Sequence, residues 1–288
     1  MAASEHPVTL QWLVDKTRTV YSHPLFYERL NEAINHPRSS VADIARIITE
    51  DQGLTARILR LANSPMFGYF GRVDSISRAV TIIGTQQLRD LALAAAVMGV
   101  FKGIPEELIN MASFWRHSIA CGIIARSLAV YLRENNVERL FVAGILHDIG
   151  QLVLCTTAPD TARKLMETSR QQEELFHLSE RKQLGFDHAE LGGALLREWK
   201  IPTNIIDPVS WHHQPLRAEQ FPQEAAIVHL ADIICQAFTF GQNGEWCVPP
   251  LEASAWERIG MPVTMLTTIV KQSEPLIEET FSILTEDT

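Results

Sequence analysis

Features that would place the chain in a specialised class of protein are scarce. Only 4 of the 288 residues are cysteines, and no two of them form a CxxC pair, so they are interpreted as reduced thiols of a cytoplasmic protein. The 15 glycines and 14 prolines are too few for a fibrous or low-complexity chain. Because a chain of this length buries most of its apolar surface on folding, it needs neither a disulfide nor a metal merely to fold.

Basic residues and long apolar runs are scarce as well. Lys and Arg number 25 against 34 Asp and Glu, which gives a net charge of −9, and no basic run occurs. This balance disfavours DNA binding, because phosphate backbones attract basic surfaces. The N-terminal residues lack the charged flank and apolar stretch of a signal peptide, and the longest nearly unbroken apolar run, residues 91–101, is too short to cross a bilayer. We therefore expect a cytoplasmic protein without membrane contact.

What the sequence does have is helical periodicity. Apolar residues recur every three or four positions in segment after segment, and Ser40 with Asp43 is typical of a capping box. The pattern predicts an all-α fold, with Val153-Leu154-Cys155 as the best short strand candidate. The later helices are expected at about 107–133, 137–148, 159–173, 175–184, 187–199, 203–211 and 222–239, with two or three more from about 253 to 285.

A glycine and a proline between residues 103 and 106 mark a candidate boundary between subdomains. The predicted organisation is an N-terminal helical subdomain over residues 1–105, a second helical subdomain over 106–240 and a C-terminal helical extension over 241–288.

Histidines and aspartates are the residues in this sequence that could bind a metal ion. His147 and Asp148 are adjacent at a predicted helix end, where both can reach one metal ion. His117 lies within a long apolar helix, and Asp232 lies in an apolar stretch where a carboxylate needs a partner or a cation. Their order and helical context predict a metal site.

Three more histidines add to this set. His188 begins a predicted helix, and His212 and His213 follow another. Imidazole suits Zn, Fe and Ni, and carboxylate suits Mg and Mn, so the mixed set predicts one of these divalent ions. Such an ion could lower the pKa of a bound water and produce hydroxide near neutral pH. The alternative is that the histidines only form hydrogen bonds within the core.

The remaining histidines have no comparable context. His229 is interpreted as a bystander, although it lies three residues before the acidic residue of the same helix. The others are interpreted as surface or core residues: His6, His23, His36 and His177.

The ordered histidines and aspartates resemble the HD superfamily of metal-dependent phosphohydrolases. From about residue 19 to 240 the chain resembles, more narrowly, an HDOD domain, the HD-related output domain of bacterial signalling proteins. The resemblance is carried by Leu59–Pro65, Ile76–Val80 with Ile83-Gly84, Leu88–Leu93, Leu146–Gly150, His188–Gly192 with Leu195-Leu196, Trp199–Pro202 and His212–Pro215. It implies an all-helical fold with an HD-like core and an N-terminal helical bundle. It also implies a regulatory role, often downstream of receiver domains.

The resemblance also assigns roles to the site residues. His117, His147, Asp148 and Asp232 match the four HD positions, which many HDOD proteins have lost. The three histidines at 188, 212 and 213 resemble extra ligands of HD-GYP phosphodiesterases, which cleave cyclic di-GMP, and would hold a second ion or the phosphate of a substrate. Those enzymes carry a lysine where this chain has Gln151, and a Gly-Tyr-Pro loop that is absent here.

Two hypotheses on function remain open at this point. The first is a signalling output module, associated with a response regulator, that binds a partner protein or a ligand without turnover and uses its C-terminal helices to form a homodimer. The second is a metal-dependent phosphohydrolase acting on a nucleotide or cyclic dinucleotide, in which Asp148 would bind the metal and accept a proton from the attacking water.

Overall fold

The computed structural model describes residues 8–20, 25–69, 71–101, 103–244 and 247–285. All regular structure within these ranges is helical, which confirms the all-α prediction. The first half holds α1 (Leu10–Val20), α2 (Leu25–Asn35), α3 (Val41–Thr49), α4 (Gln52–Ala62), a 3₁₀ turn (Pro65–Phe67), α5 (Ile76–Ile83) and α6 (Thr85–Met98).

The second half is also built of consecutive helices. They are α7 (Met111–Leu132), α8 (Val137–Leu146), α9 (Ile149–Thr157), α10 (Pro159–Gln172), α11 (Phe176–Leu184), α12 (His188–Glu198), α13 (Thr203–Trp211), a 3₁₀ turn (Pro215–Arg217), α14 (Pro222–Ala237), α15 (Ala253–Ile259) and α16 (Thr264–Thr285). The predicted helices over these residues agree with the observed ones to within a few residues.

Local signals explain where several helices begin and end. The capping box is present at the start of α3: the Ser40 hydroxyl accepts a hydrogen bond from the Asp43 backbone N–H, and the Asp43 carboxylate accepts one from the Ser40 backbone N–H. After α4, the Asn63 amide bonds both backbone groups of Val73, each at 2.8 Å, and this fixes the chain reversal toward α5.

The strand proposed at Val153-Leu154-Cys155 was wrong, because these residues belong to α9. Every residue of α9 from Ile149 to Cys155 is buried, and Gln151 is the one polar side chain among them. The segment therefore lacks the alternation of apolar and polar residues that distinguishes a strand from a helix. Periodicity cannot distinguish a short buried strand from a short buried helix.

A close contact between α7 and α8 sets the framework of the second half. A Cβ atom on Gly144 would lie 2.6 Å from the Gly122 Cα, and a Cβ atom on Gly122 would lie 2.6 Å from the Phe141 carbonyl oxygen. The two helices therefore meet backbone to backbone. An ion pair between Arg139 and Glu224, at 2.9 Å, joins α8 to α14. These contacts bring three helices that carry candidate site residues together.

The first and last helices pack onto the middle of the fold. Helix α1 contacts α9 and α12, and α16 contacts α7 and α4. One cluster of buried apolar side chains runs through both halves, from Leu13 to Leu284. The proposed boundaries near residues 105 and 240 stay predictions.

One segment passes the length and composition test for a membrane span. It is Val137–Thr157, which covers α8, the following turn and α9, and 89% of its apolar window is buried inside the protein. Such burial is typical of a core helix of a soluble protein. Glu138, Arg139, His147 and Asp148 interrupt this segment, so its sequence contains no unbroken apolar run of that length. Within the described ranges no other helix passes the test.

We expect Gly144→Ala to destabilise the protein by about 1–3 kcal/mol or more, since the added methyl group must push α7 and α8 apart. Urea denaturation measures the change in the free energy of unfolding. Gly99→Ala is the matched control, because a Cβ at Gly99 would lie an ordinary 3.5 Å from its nearest neighbour. Equal stability of the two variants would show that the helices do not depend on this contact.

Candidate metal centre

The structure brings together the seven side chains singled out in the sequence, from separate helices of the second half. His117 lies on α7, His147 and Asp148 lie between α8 and α9, His188 begins α12, His212 and His213 follow α13, and Asp232 lies on α14. All except His213 are buried, with relative exposures of 2% or less. The convergence follows from helix packing, since α7 contacts α8 and α14, and α13 contacts α8, α12 and α14.

The first part of the site has the two aspartates facing His117 and His147. The Asp148 Oδ2 lies 3.1 Å from the His147 Nε2 and 3.7 Å from the His117 Nε2. The Asp232 Oδ1 lies 3.2 Å from the His117 Nε2 and 3.7 Å from the His147 Nε2. Four potential ligand atoms therefore surround one small space.

The second part of the site lies on the other side of the Asp148 carboxylate. The Asp148 Oδ1 is 3.2 Å from the His188 Nε2 and 3.7 Å from the His212 Nε2. The His213 Nε2 is 2.8 Å from the His188 Nε2. The ligand atoms of His188, His212 and His213 all lie within 4.8 Å of one another. Asp148 thus offers one oxygen to each part.

Hydrogen bonds from the opposite ring nitrogens orient three of these histidines. The Nδ1 of His147 donates to the Gly144 carbonyl oxygen at 2.7 Å, and the Nδ1 of His212 donates to the Val209 carbonyl oxygen at 2.8 Å. The Nδ1 of His188 donates to the Glu180 carboxylate at 2.6 Å. With its proton on Nδ1, a neutral imidazole presents a lone pair at Nε2. Each Nε2 therefore points a lone pair at the aspartates.

The result is a buried set of hydrogen-bond acceptors with too few donors. Within the described part of the chain, four of these atoms have no hydrogen-bond partner: the His147 Nε2, the His212 Nε2, the Asp148 Oδ1 and the Asp232 Oδ1. An unpaired buried acceptor is costly, and a buried carboxylate is more so. A cation shared among these atoms, either a metal ion or protons, removes the cost.

The pKa values show how protons would fill the metal-free site. Burial opposes charge on His147, but Asp148 together with Cys121 and Asp232 outweighs it and raises the pKa of His147 well above its usual range. Burial likewise opposes charge on His188, where Glu180 raises the pKa. At His212, burial lowers the pKa to about 3. Protons therefore concentrate on two of the histidines, and a divalent ion would have to displace them.

Sequence reasoning missed two residues that contact the site. Glu180 is buried on α11 and accepts bonds from both the ring and the backbone N–H of His188. Asn243 lies in the loop after α14, and its Nδ2 donates to the Asp148 Oδ2 at 2.6 Å. Neither has a recognisable sequence signal: Glu180 lies in a polar helix and Asn243 in a glycine-containing loop.

The histidines set aside in the sequence differ in their surroundings. His229 is more than a bystander, because its Nδ1 donates to the His212 carbonyl oxygen at 2.7 Å and its Nε2 accepts the Glu252 N–H at 3.0 Å. The ring of His177 stacks on that of His213, with 4.0 Å between centroids. His36 is exposed. His6, His23 and the N-terminal segment considered for a signal peptide lie outside the described residues.

An all-helical body around a buried histidine–aspartate centre is the architecture of HD-type proteins. The HDOD domain model matches residues 20–215. This match covers more than half of the chain, and the chain belongs to the HDOD family. It ends before Asp232 and Asn243, so two residues at the centre come from outside the matched region.

Three relatives show the extent of the similarity. A crystal structure of a Shewanella amazonensis SB2B protein, provisionally named a phosphohydrolase, is 26% identical, with a TM-score of 0.74 over 97% of this chain and 98% of that one. An HDOD domain protein of unknown function from Geobacter sulfurreducens is 24% identical, with a TM-score of 0.72 over 95% and 96% of the two chains. An uncharacterised Treponema pallidum (strain Nichols) protein is 25% identical over 223 residues, which are 77% of this chain and 43% of that one. The chain therefore spans less than half the length of this curated relative.

We expect Glu180→Gln to lower the pKa of His188 in chelator-treated protein. The negative charge of Glu180 raises that pKa, and its removal leaves burial, which lowers it. NMR titration of the imidazole resonances measures the effect. Glu190→Gln is the control, because Glu190 is close to His188 in sequence but pairs with Arg181 and Arg217. An unchanged pKa of His188 would show that Glu180 does not set its charge.

Proposed function

We propose that the protein is a metal-binding output module of bacterial signalling that acts in the cytoplasm by binding a partner protein or a ligand. Family membership supports the signalling role, since HDOD domains are HD-related output domains. The observation that carries metal binding is the convergence of unpaired acceptor atoms on the two buried aspartates.

The donor set fits a divalent ion. His117, His147, Asp148 and Asp232 would hold one ion, and the second oxygen of Asp148 with the three histidines at 188, 212 and 213 would hold another. Imidazole nitrogens mixed with carboxylate oxygens suit Fe, Mn, Ni, Zn or Mg. A bound ion would polarise a coordinated oxygen and lower the pKa of a bound water.

Two features favour binding over turnover. The centre is buried, so a nucleotide phosphate could reach it only if the surrounding chain moved. Gln151 occupies the position of the HD-GYP lysine and is itself completely buried. A neutral amide there cannot provide the positive charge that stabilises a phosphoryl transition state.

A metal-dependent phosphohydrolase acting on a nucleotide or cyclic dinucleotide is the second candidate. It is favoured by Asp148, whose two oxygens face two separate histidine groups in the way that a bridging ligand of a two-ion site would. The provisional name of the Shewanella protein points the same way. In this alternative Asp148 would also accept a proton from the attacking water.

The partner is proposed on the basis of the family alone. We propose a signalling protein, upstream or downstream of a response regulator, and a homodimer formed through the C-terminal helices. Size-exclusion chromatography with light scattering tests the homodimer: the mass of a single chain at high protein concentration would rule it out.

We expect protein purified without chelator to carry about one or two equivalents of a divalent metal per chain, and His147→Ala/Asp148→Ala to carry none, because the double variant removes Asp148, which both groups share, and His147 of the first group. Elemental analysis measures the metal. His36→Ala is the control, since that histidine is exposed. Metal-free protein that binds no added ion would disprove the proposal and favour protons as the cation.

We expect the metal-loaded protein to show no turnover of cyclic di-GMP or of a generic phosphodiester, because the centre is closed and lacks the lysine. Product analysis by chromatography, with each candidate metal added in turn, tests this. The double variant is the control for contaminating activity. Turnover that disappears in the double variant would establish the hydrolase instead.

A further inference from the structure

The loop after α14 sends one side chain into the metal centre. Asn243 is 1% exposed, although its neighbour Gln242 is exposed and Val248, further along the loop, is 48% exposed. A polar loop residue gains nothing from burial unless it finds polar partners. The partners that Asn243 finds are two of the candidate metal ligands.

Contacts of the loop backbone fix the position of Asn243. Gly241 has φ +86°, and a Cβ atom there would lie 2.5 Å from the His117 backbone nitrogen, so the loop lies directly on α7 at that turn. Only glycine combines this backbone conformation with so close an approach. Residue 243 is therefore held next to His117 by the main chain as well as by its own amide.

The amide of Asn243 bridges both ligands and a third side chain. Its Nδ2 lies 2.6 Å from the Asp148 Oδ2 and 3.2 Å from the His117 Nε2. Its Oδ1 accepts a hydrogen bond from the Gln236 Nε2 at 3.0 Å. Gln236 also carries an amide, which can donate or accept. If the carboxamide groups of Asn243 and Gln236 both rotated by 180°, they would still hydrogen-bond to each other, and the Oδ1 of Asn243 would then face the metal centre.

We propose that Asn243 is a further ligand of the metal centre and that it binds the ion through its carboxamide oxygen. This inference rests on the proposed metal-binding function. In the metal-free site the NH₂ group faces Asp148, because the carboxylate needs a donor. An ion bound to Asp148 and to the lone pair of His117 would remove the need for the NH₂ donor of Asn243. The carboxamide oxygen of Asn243 would then interact more favourably with the cation than the NH₂ group does.

The spacing of the atoms fits this role. Adjacent ligands of an octahedral ion with bonds of about 2.1 Å lie about 3.0 Å apart. The Asn243 Nδ2 lies 2.6 Å from the Asp148 Oδ2 and 3.2 Å from the His117 Nε2, and these two ligand atoms are 3.7 Å apart. Carboxamide oxygens suit Mg²⁺ and Mn²⁺. The added oxygen would thus favour Mn²⁺ over an ion that prefers four ligands, such as Zn²⁺.

The test measures Mn²⁺ affinity of the full chain by competition with a chelator. We expect Asn243→Ala to weaken Mn²⁺ binding about tenfold or more, in line with the loss of a supporting group at a metal site. Asn243→Asp keeps an oxygen at the same place and should bind Mn²⁺ at least as tightly as the unmodified protein. Gln242→Ala truncates the adjacent exposed side chain and should leave the affinity unchanged.

A second readout separates ligation from a structural role. Asn243→Asp adds a negative charge beside Asp148, so it should lower the melting temperature of the metal-free protein and increase the rise in melting temperature on adding Mn²⁺. Circular dichroism before the titration checks that each variant is folded. If Asn243→Ala proves unfolded, Asn243→Asp alone decides, through its Mn²⁺ affinity and its metal-induced rise in melting temperature.

Two results would overturn the inference without touching the proposed function. One is Mn²⁺ binding by Asn243→Ala that is as tight as, or tighter than, that of the unmodified protein, which would make Asn243 a donor that only closes the metal-free site. The other is weaker Mn²⁺ binding by Asn243→Asp than by the unmodified protein. Failure of the unmodified protein to bind any divalent ion would instead overturn the proposed function, and this inference with it.

Discussion

The carboxylate of Asp148 is the group on which the site depends. It is completely buried, and its two oxygens face four imidazoles from three sides. Removing a carboxylate from water costs several kcal/mol unless opposite charge and hydrogen bonds replace the lost hydration. In their neutral form the histidines at 147, 188 and 212 present a lone pair to it, because their other ring nitrogens are hydrogen-bonded to carbonyl or carboxylate oxygens. The fold therefore holds a site that is complete only with a cation.

The surrounding architecture serves to hold these acceptors together against their mutual repulsion. Glycines at 122 and 144 let α7 and α8 meet at the backbone, so His117 and the turn after α8 approach one another. His229 ties the chain that follows α13 to α14, and Glu180 ties α11 to the start of α12. The bonds from the Nδ1 atoms of His147, His188 and His212 act on the ligand rings from the side away from the aspartates. Such supporting bonds fix ring orientation and raise the basicity of the ligands.

Much of this centre could be predicted from the sequence, and the exceptions have physical reasons. Asp232 stood out because a carboxylate in an apolar helix needs a partner, and His117 stood out for a similar reason. Glu180 did not, because its helix has a polar sequence and its burial depends on tertiary packing. Asn243 did not, because loop residues have no periodicity and their direction depends on tertiary contacts. The short α9 was misjudged because a fully buried segment shows no amphipathic pattern of either kind.

Charge balance gives a physical reason for the glutamine at position 151. One divalent ion would balance the two negative charges of Asp148 and Asp232. A lysine at 151 would add a buried positive charge, which is tolerated only where an anion such as a phosphate group arrives to pair with it. Gln151 is completely buried, and neither of its amide atoms has a hydrogen-bond partner among the described residues. A neutral side chain at that place would suit a centre that holds an ion without receiving an anionic substrate, and it therefore supports the proposed binding module over the alternative phosphohydrolase.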